Sequence, residues 1–242
     1  MTNVQERAER LDQSKFFGVP IAGFERGGRQ QFVLLIMAGL KPDSKVLDIG
    51  CGVLRAGYWL IHFLDTGCYY GIEPHRERVE TGRTCILEPD VERLKQPRFD
   101  RNPEFDSSVF DVKFDFFLAY SIWTHASKPQ IERMLDNFVR DSTRDAVFLT
   151  SILPAVWPRR DYGGMGWFGT SHDSDQPGCI RHGLKWIRAQ CRTRGLRVRT
   201  LGRERDGQTW LQISRGSKSR LLFRTIWWDG RVTRAIRRLF AS

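Results

Sequence analysis

The residues most able to do chemistry cluster near position 50. Asp48-Ile49-Gly50-Cys51-Gly52 completes a short apolar run, Lys45 to Ile49, and precedes a helical pattern from Ala56 to Leu64. Glycines let a backbone approach a ligand closely, and the start of the next helix offers N–H donors. The dinucleotide fingerprint Gly-x-Gly-x-x-Gly needs glycine at 55, but this chain has Arg55 there, and its next glycine is Gly57. An acid two residues before the first glycine suits a pyrophosphate poorly and a cationic ligand well. Glu73 ends the next apolar run, Cys68 to Ile72, 25 residues after Asp48. In a doubly wound sheet an acid at that place takes ribose hydroxyls. Pro74 follows and helps fix the turn. A strand, a turn and two glycines also make a plain tight βα connection; Glu73 at its spacing weighs toward a ligand.

Such residues need a rigid frame, and the rest of the chain describes one. Arg29 to Gly39 reads as a helix ended by Gly39 and Pro42. Lys45–Ile49 and Cys68–Ile72 read as buried strands, and Arg76–Leu87 as a helix. Residues 88–110 are rich in Pro and Asp and poorly patterned; a third strand is expected at Pro97–Asp100 or at Glu104–Ser107. Phe114–Tyr120 is the fourth strand and Ala146–Ile152 the fifth. Between them Lys128–Asp141 is a helix with Ile131, Met134, Leu135 and Phe138 on one face. A long loop, Pro154 to Pro177, leads to a helix expected over Ile180–Arg194 and closed by Gly195. Leu196–Leu201 and Thr209–Ser214 are the last strands. Their connection, Gly202 to Gln208, is too short for a parallel crossover, so the pair must be antiparallel. Alternating strands and helices predict an α/β fold: a doubly wound, mostly parallel, Rossmann-like sheet of seven strands, with an antiparallel last strand and helices on both faces. The expected division is an N-terminal helical arm (1–27), a main domain (28–216) and a basic amphipathic extension (217–242).

With these elements in place, the sequence resembles the class I S-adenosylmethionine-dependent methyltransferases of small-molecule type. Val46-Leu47-Asp48-Ile49-Gly50-Cys51-Gly52 matches the first motif of that family. Glu73 matches its acid after the second strand, and Phe114-Asp115-Phe116 its run into the fourth strand. The resemblance spans about residues 28–215. It implies S-adenosyl-L-methionine as cofactor, with Gly50, Cys51 and Gly52 against it, Glu73 and Pro74 at its ribose and Asp48 near its methionine part. It implies further contacts from Asp106 to the adenine amine and from Tyr120 after the fourth strand. Two departures stand out. Phe105 replaces the usual glycine before Asp106, and Gly52-Val53-Leu54-Arg55-Ala56-Gly57 differs from the commonest glycine pattern, leaving Arg55 without a role.

A methyl acceptor is expected beyond the carboxyl ends of the strands. Two segments fall there: Tyr120-Ser121-Ile122-Trp123-Thr124-His125 and the loop Trp157 to Asp175. His125 is the first candidate for a general base, because imidazole titrates near neutrality, and it could equally pack under the next helix. His172, with Asp173 and Asp175 nearby, is the second. A metal is not expected, since no third ligand stands at suitable spacing. Trp123, Trp157, Tyr162 and Trp167 are candidate acceptor contacts, suited to stacking on a ring or sugar. The amino-methylating motif Asn/Asp-Pro-Pro-Tyr/Phe and the Pro-Cys pair of cytosine carbon-5 enzymes are both missing, so a nucleic-acid acceptor is disfavoured. The expected reaction is methylation of a hydroxyl or carboxyl on a small-molecule or sugar-containing metabolite. An RNA methyltransferase and a catalytically silent scaffold are the rival readings.

Composition sharpens the partner. The chain has 242 residues, 40% hydrophobic and 12% aromatic, which supplies a core and excludes wholesale disorder. The net charge is +11 and it is lopsided: 20 Lys and Arg face 22 Asp and Glu before residue 155, and 19 face 6 from there on. A basic part favours an anionic partner. In the extension, Arg231, Arg234, Arg237 and Arg238 fall opposite Val232, Ile236, Leu239 and Phe240 on a helical projection, after Trp227 and Trp228. That pattern suits an anionic membrane surface, or a helix docked on its own domain or on a second copy in a homodimer. Met1 to Arg7 lacks the build of a signal peptide, and the five cysteines show no Cys-x-x-Cys spacing. A cytoplasmic setting, with or without peripheral membrane contact, is the expectation.

Overall fold

The computed structural model describes residues 3–11, 20–156, 160–169 and 178–216. Two helices come first, α1 (Val4–Glu9) and α2 (Phe24–Met37). Then β1 (Val46–Ile49), α3 (Gly57–Phe63), β2 (Tyr69–Ile72), α4 (Arg76–Thr81), α5 (Pro89–Lys95) and β3 (Arg98–Asp100) alternate. The second half holds β4 (Phe114–Ala119), α6 (Lys128–Asp141), β5 (Ser142–Ile152), α7 (Leu184–Thr193), β6 (Arg197–Arg203) and β7 (Thr209–Ser214). The sheet order is β3-β2-β1-β4-β5-β7-β6. Strands β1 to β5 run parallel to one another, and β7 lies antiparallel between β5 and β6. The expected doubly wound sheet is therefore present, with its antiparallel strand.

Alternation within each strand builds two cores. Leu47, Ile49, Phe117, Ala119 and Phe148 face Ile131 and Phe138 of α6 and Ile187 and Cys191 of α7. Val46, Leu118, Val147 and Leu149 face Leu34 and Leu35 of α2 and Leu60 and Ile61 of α3. A strand covered on both faces reads as a continuous apolar run, and β1 is buried at all four positions. The strand order reverses at β1, whose Val46–Asp48 pairs with β2 on one side and with β4 on the other. The crevice at the carboxyl ends of β1 and β4 is where such sheets bind ligands.

Several boundaries differ from the expectation. Helix α2 starts at Phe24 rather than Arg29, because Phe24 is fully buried and anchors an otherwise polar first turn. The helix expected over Arg76–Leu87 is α4 followed by a π-helical stretch, Gly82–Ile86. Helix α5 was hidden because it buries no residue and so shows no apolar stripe. The third strand is at Arg98–Asp100, the first of the two options, while Ser107–Phe110 is a 3-10 turn. Strand β5 reaches back to Ser142, which pairs with Phe114 across a register shift. Helix α7 begins at Leu184, since His182 pairs with the Leu153–Ala155 backbone and keeps that stretch extended. Among the described residues, no helix is long and apolar enough to cross a membrane.

Candidate active site

The turn after β1 is held by its neighbours before any ligand arrives. The N–H groups of Gly50 and Cys51 both donate to the Ile72 carbonyl at the end of β2, at 2.7 and 3.2 Å. The Gly52 N–H donates to Glu73 Oε2 at 3.1 Å. A phosphate cradle requires such donors to be vacant; here three in a row are used within the protein. Gly50 has φ +69°, and a Cβ on it would lie 2.0 Å from Ile122 Cδ1, so the post-β4 segment closes directly over this turn. Leu54 adopts φ +63° in the same loop, a conformation that costs a side-chain-bearing residue energy.

Two buried carboxyls flank the turn. Glu73 is 4% exposed, and its Oε1 accepts from the His75 N–H at 3.1 Å, with Arg78 Nη1 at 3.8 Å. Each oxygen keeps lone-pair capacity for a further donor, as a ribose-binding acid must. Asp48 accepts from the Tyr69 hydroxyl at 2.8 Å. Burial pushes its carboxyl up to about 7; the Tyr69 hydrogen bond opposes this, the nearby Glu73 adds to it and Arg55 opposes it. A carboxyl poised in this way is ionised by an arriving cation. Cys51 contributes backbone, since its thiol is buried and burial holds it well above its ordinary range. Pro74 is half-buried after Glu73. Asp106 caps the Ser107–Phe110 turn through the Ser108 N–H at 3.0 Å and pairs with Arg140. Burial raises its pKa, but the Ser108 and Arg140 hydrogen bonds outweigh it and hold the carboxyl low.

Past β4 the chain turns sharply, with Ser121 at φ +58°. Tyr120 stacks on Trp210 with ring centroids 4.9 Å apart, and its hydroxyl donates to Glu204 Oε2 at 2.7 Å. Trp210 Nε1 donates to the other Glu204 oxygen at 2.7 Å. Ser121 N–H donates to Ser151 Oγ at 2.8 Å, and Ser151 donates to Gln208 Oε1 at 2.7 Å. The β6–β7 hairpin is thus bonded to the floor of the crevice. Nothing in the local sequence marks Glu204 and Gln208 for this, since they look like ordinary hairpin polars.

His125 is half-buried and oriented. Its Nδ1 lies 2.8 Å from the Phe168 carbonyl, which can only accept, so Nδ1 carries the proton and Nε2 holds the lone pair. Cys179 Sγ is 3.9 Å from Nε2. Burial pushes the imidazole pKa down; the Phe168 carbonyl opposes this, the Arg78 charge adds to it and the Gly178 carbonyl opposes it. Arg78, beside Glu73, therefore also acts on His125. The ring stacks on Trp167 at 5.7 Å and 19°, and Trp167 in turn meets Phe105 at 5.8 Å. Tyr162 joins this group through Phe168, 6.1 Å away.

Trp123 does not. It is fully buried, donates to Met134 Sδ at 3.3 Å and packs on Phe148, so it is a core residue rather than an acceptor contact. His172 and Trp157 lie outside the described residues, as does the extension 217–242. A histidine passed over in the sequence, His182, is fully buried, with Nε2 3.0 Å from the Ala126 carbonyl and Nδ1 3.8 Å from Asp161, which binds Lys128 at 2.9 Å. Among the described residues, no group of three His, Cys, Asp or Glu could hold a metal ion.

No protein-family model matches the chain. Among solved structures it is similar to the magnesium protoporphyrin IX methyltransferase of Synechocystis PCC 6803 with bound SAM. The TM-score is 0.56 at 16% identity, over 87% of this chain and 90% of that one. It is also similar to DesVI of Streptomyces venezuelae, with TM-score 0.57 and 16% identity over 86% and 100% of the two chains. The methyltransferase domain of bacterial CtHen1-C matches with TM-score 0.54 and 15% identity over 81% and 99%. Identities this low establish the fold: the chain has that of the class I methyltransferases.

Proposed function

We propose that this chain, built on the class I methyltransferase fold, binds S-adenosylmethionine and methylates a hydroxyl or carboxyl of a small-molecule or sugar-containing metabolite. One observation carries the reading. The glycine turn has its N–H groups engaged and is flanked by two buried carboxyls, Asp48 and Glu73. That combination suits a ligand with hydroxyls and positive charge, and suits a pyrophosphate poorly. The residues fit the cofactor: Glu73 retains acceptor capacity for two ribose hydroxyls, and Asp48 gains a cation that favours its ionised form.

When bound, the cofactor supplies an electrophilic methyl group on a sulfonium. The chain's own residues do the rest. Gly50 and Gly52 let the backbone pass close by, and Glu73 sets orientation. His125 Nε2 accepts a proton from an acceptor hydroxyl, its tautomer held by Phe168. The half-buried ring is neutral near pH 7 because its pKa is depressed. Trp167 and Tyr162 offer aromatic surface for the acceptor. Titration with S-adenosylhomocysteine tests the core of this reading. Glu73→Ala is expected to weaken binding about tenfold or more, by loss of charge-assisted hydrogen bonds. Unchanged affinity would remove the reading.

A further inference from the structure

Arg55 stands where a dinucleotide fingerprint has glycine, and the roles above leave it unused. Its guanidinium lies over the Tyr120 ring, 5.1 Å from the centroid, so it spans the crevice between the ends of β1 and β4. On its other side α2 presents two glycines. A Cβ on Gly27 would come within 3.3 Å of Arg55 Nη1, and one on Gly28 within 2.0 Å of the Arg55 carbonyl oxygen. The helix face is bare where the arginine sits.

Three acids act on this cation, and each is engaged elsewhere. Glu204 accepts from Tyr120 and Trp210. Asp206 accepts from the Gln208 N–H at 2.9 Å and Gln208 Nε2 at 3.0 Å. Asp48 accepts from Tyr69. Among the described residues, none lies within the 4.0 Å of an ion pair with Arg55, although all three are close enough to raise its pKa against the lowering by burial. A guanidinium with five donors, held over a ring and left without an acceptor, is prepared for an incoming one. The planar fork matches a carboxylate or a phosphate.

We infer that Arg55 is the receptor for an anionic group, a carboxylate or phosphate, carried into the β1–β4 crevice by a ligand of the site. This rests on the methyltransferase reading for the identity of the ligand. Two sources share the chemistry: the amino-acid carboxylate of the cofactor and an anionic group on the acceptor. In either case the ligand lies with its negative end on Arg55.

The test titrates wild type, Arg55→Met and Arg55→Lys with S-adenosylhomocysteine and with 5′-methylthioadenosine, which lacks the amino-acid part. Thermal midpoints are then read against inorganic phosphate and acetate, with and without the nucleoside. If the cofactor carboxylate is the anion, Arg55→Met weakens S-adenosylhomocysteine about tenfold or more and leaves 5′-methylthioadenosine within about twofold. If the acceptor brings the anion, S-adenosylhomocysteine affinity holds. The midpoint rise from phosphate or acetate is then lost in Arg55→Met. Arg55→Lys keeps part of the effect in both cases, and it serves as the charged variant should Arg55→Met unfold the loop. The inference is overturned if Arg55→Met leaves nucleoside affinity and anion response both unchanged. A wild type that binds neither nucleoside yet responds to phosphate through Arg55 defeats the methyltransferase reading and keeps this one.

Discussion

The two sides of the crevice are built in opposite ways. On the β1–β2 side the groups proposed to hold the cofactor are fixed by strand ends. Glu73 sits one residue past β2, bonded by the Gly52 and His75 N–H groups, and Asp48 lies inside β1 against Tyr69 of β2. On the β4–β5 side the groups proposed for the acceptor are fixed by loops. His125 is oriented by a carbonyl 43 residues away, and Trp167 packs back onto it from the same segment. A site on strand ends inherits the rigidity of the sheet. A site on loops can change with the substrate while the frame stays constant. On the proposed function, the strand-end side serves the cofactor and the loop side the choice of acceptor.

That contrast can be broken by mutation, and the largest effect belongs to the loop side. His125→Ala is expected to lower turnover by about 10²–10⁴. It should leave S-adenosylhomocysteine affinity within about twofold, as expected for separate sites. Turnover and titration together check this, and an equal loss of cofactor binding would merge the two sides. The wild-type rate should hold its plateau below pH 6.5 and fall on further acidification, because burial depresses the imidazole pKa. On the strand side, Glu73→Ala reverses the pattern, with cofactor affinity falling about tenfold or more.

A smaller effect sharpens the strand side through pH. Asp48 keeps its proton in the fold up to about pH 7 but loses it near pH 4 when unfolded. Between those values the native state binds more protons, so stability of the ligand-free protein falls as pH rises, by at most about 1.4 kcal/mol per pH unit. Asp48→Asn should flatten that slope in denaturant titrations from pH 4 to 7. Since a bound cation favours the ionised form, wild-type cofactor affinity should rise with pH through the same window. Gly28→Ala probes the frame around this side by sterics alone. Its Cβ would collide with the Arg55 carbonyl oxygen, so a lower thermal midpoint is expected with β1 and β2 intact.

The same division explains what the sequence could disclose. Strand β1 was legible because burial on both faces writes a continuous apolar run, and the turn after it because a tight βα connection with φ +69° at Gly50 demands glycine. Helix α6 was legible from the stripe of Ile131, Met134, Leu135 and Phe138, which it buries. Helix α5 buries nothing and left no stripe. Trp123 looked like a loop aromatic, but its ring turns inward onto Met134 and Phe148; a single position in a turn carries no periodicity to reveal that. Glu204 and Gln208 reach the crevice only because β7 returns antiparallel beside β5, a long-range pairing with no local signature. The neighbours of Arg55 come from four separate segments for the same reason.

The most direct test of the cofactor claim is the thermal unfolding midpoint with and without S-adenosylmethionine, with NAD as control. At about 100 times its dissociation constant a ligand adds roughly 2.7 kcal/mol, which should raise the midpoint of a chain this size by about 5–10 °C. A rise with S-adenosylmethionine alone, reduced in Glu73→Ala, is the predicted result. No rise with S-adenosylmethionine, or an equal rise with NAD, would contradict the account.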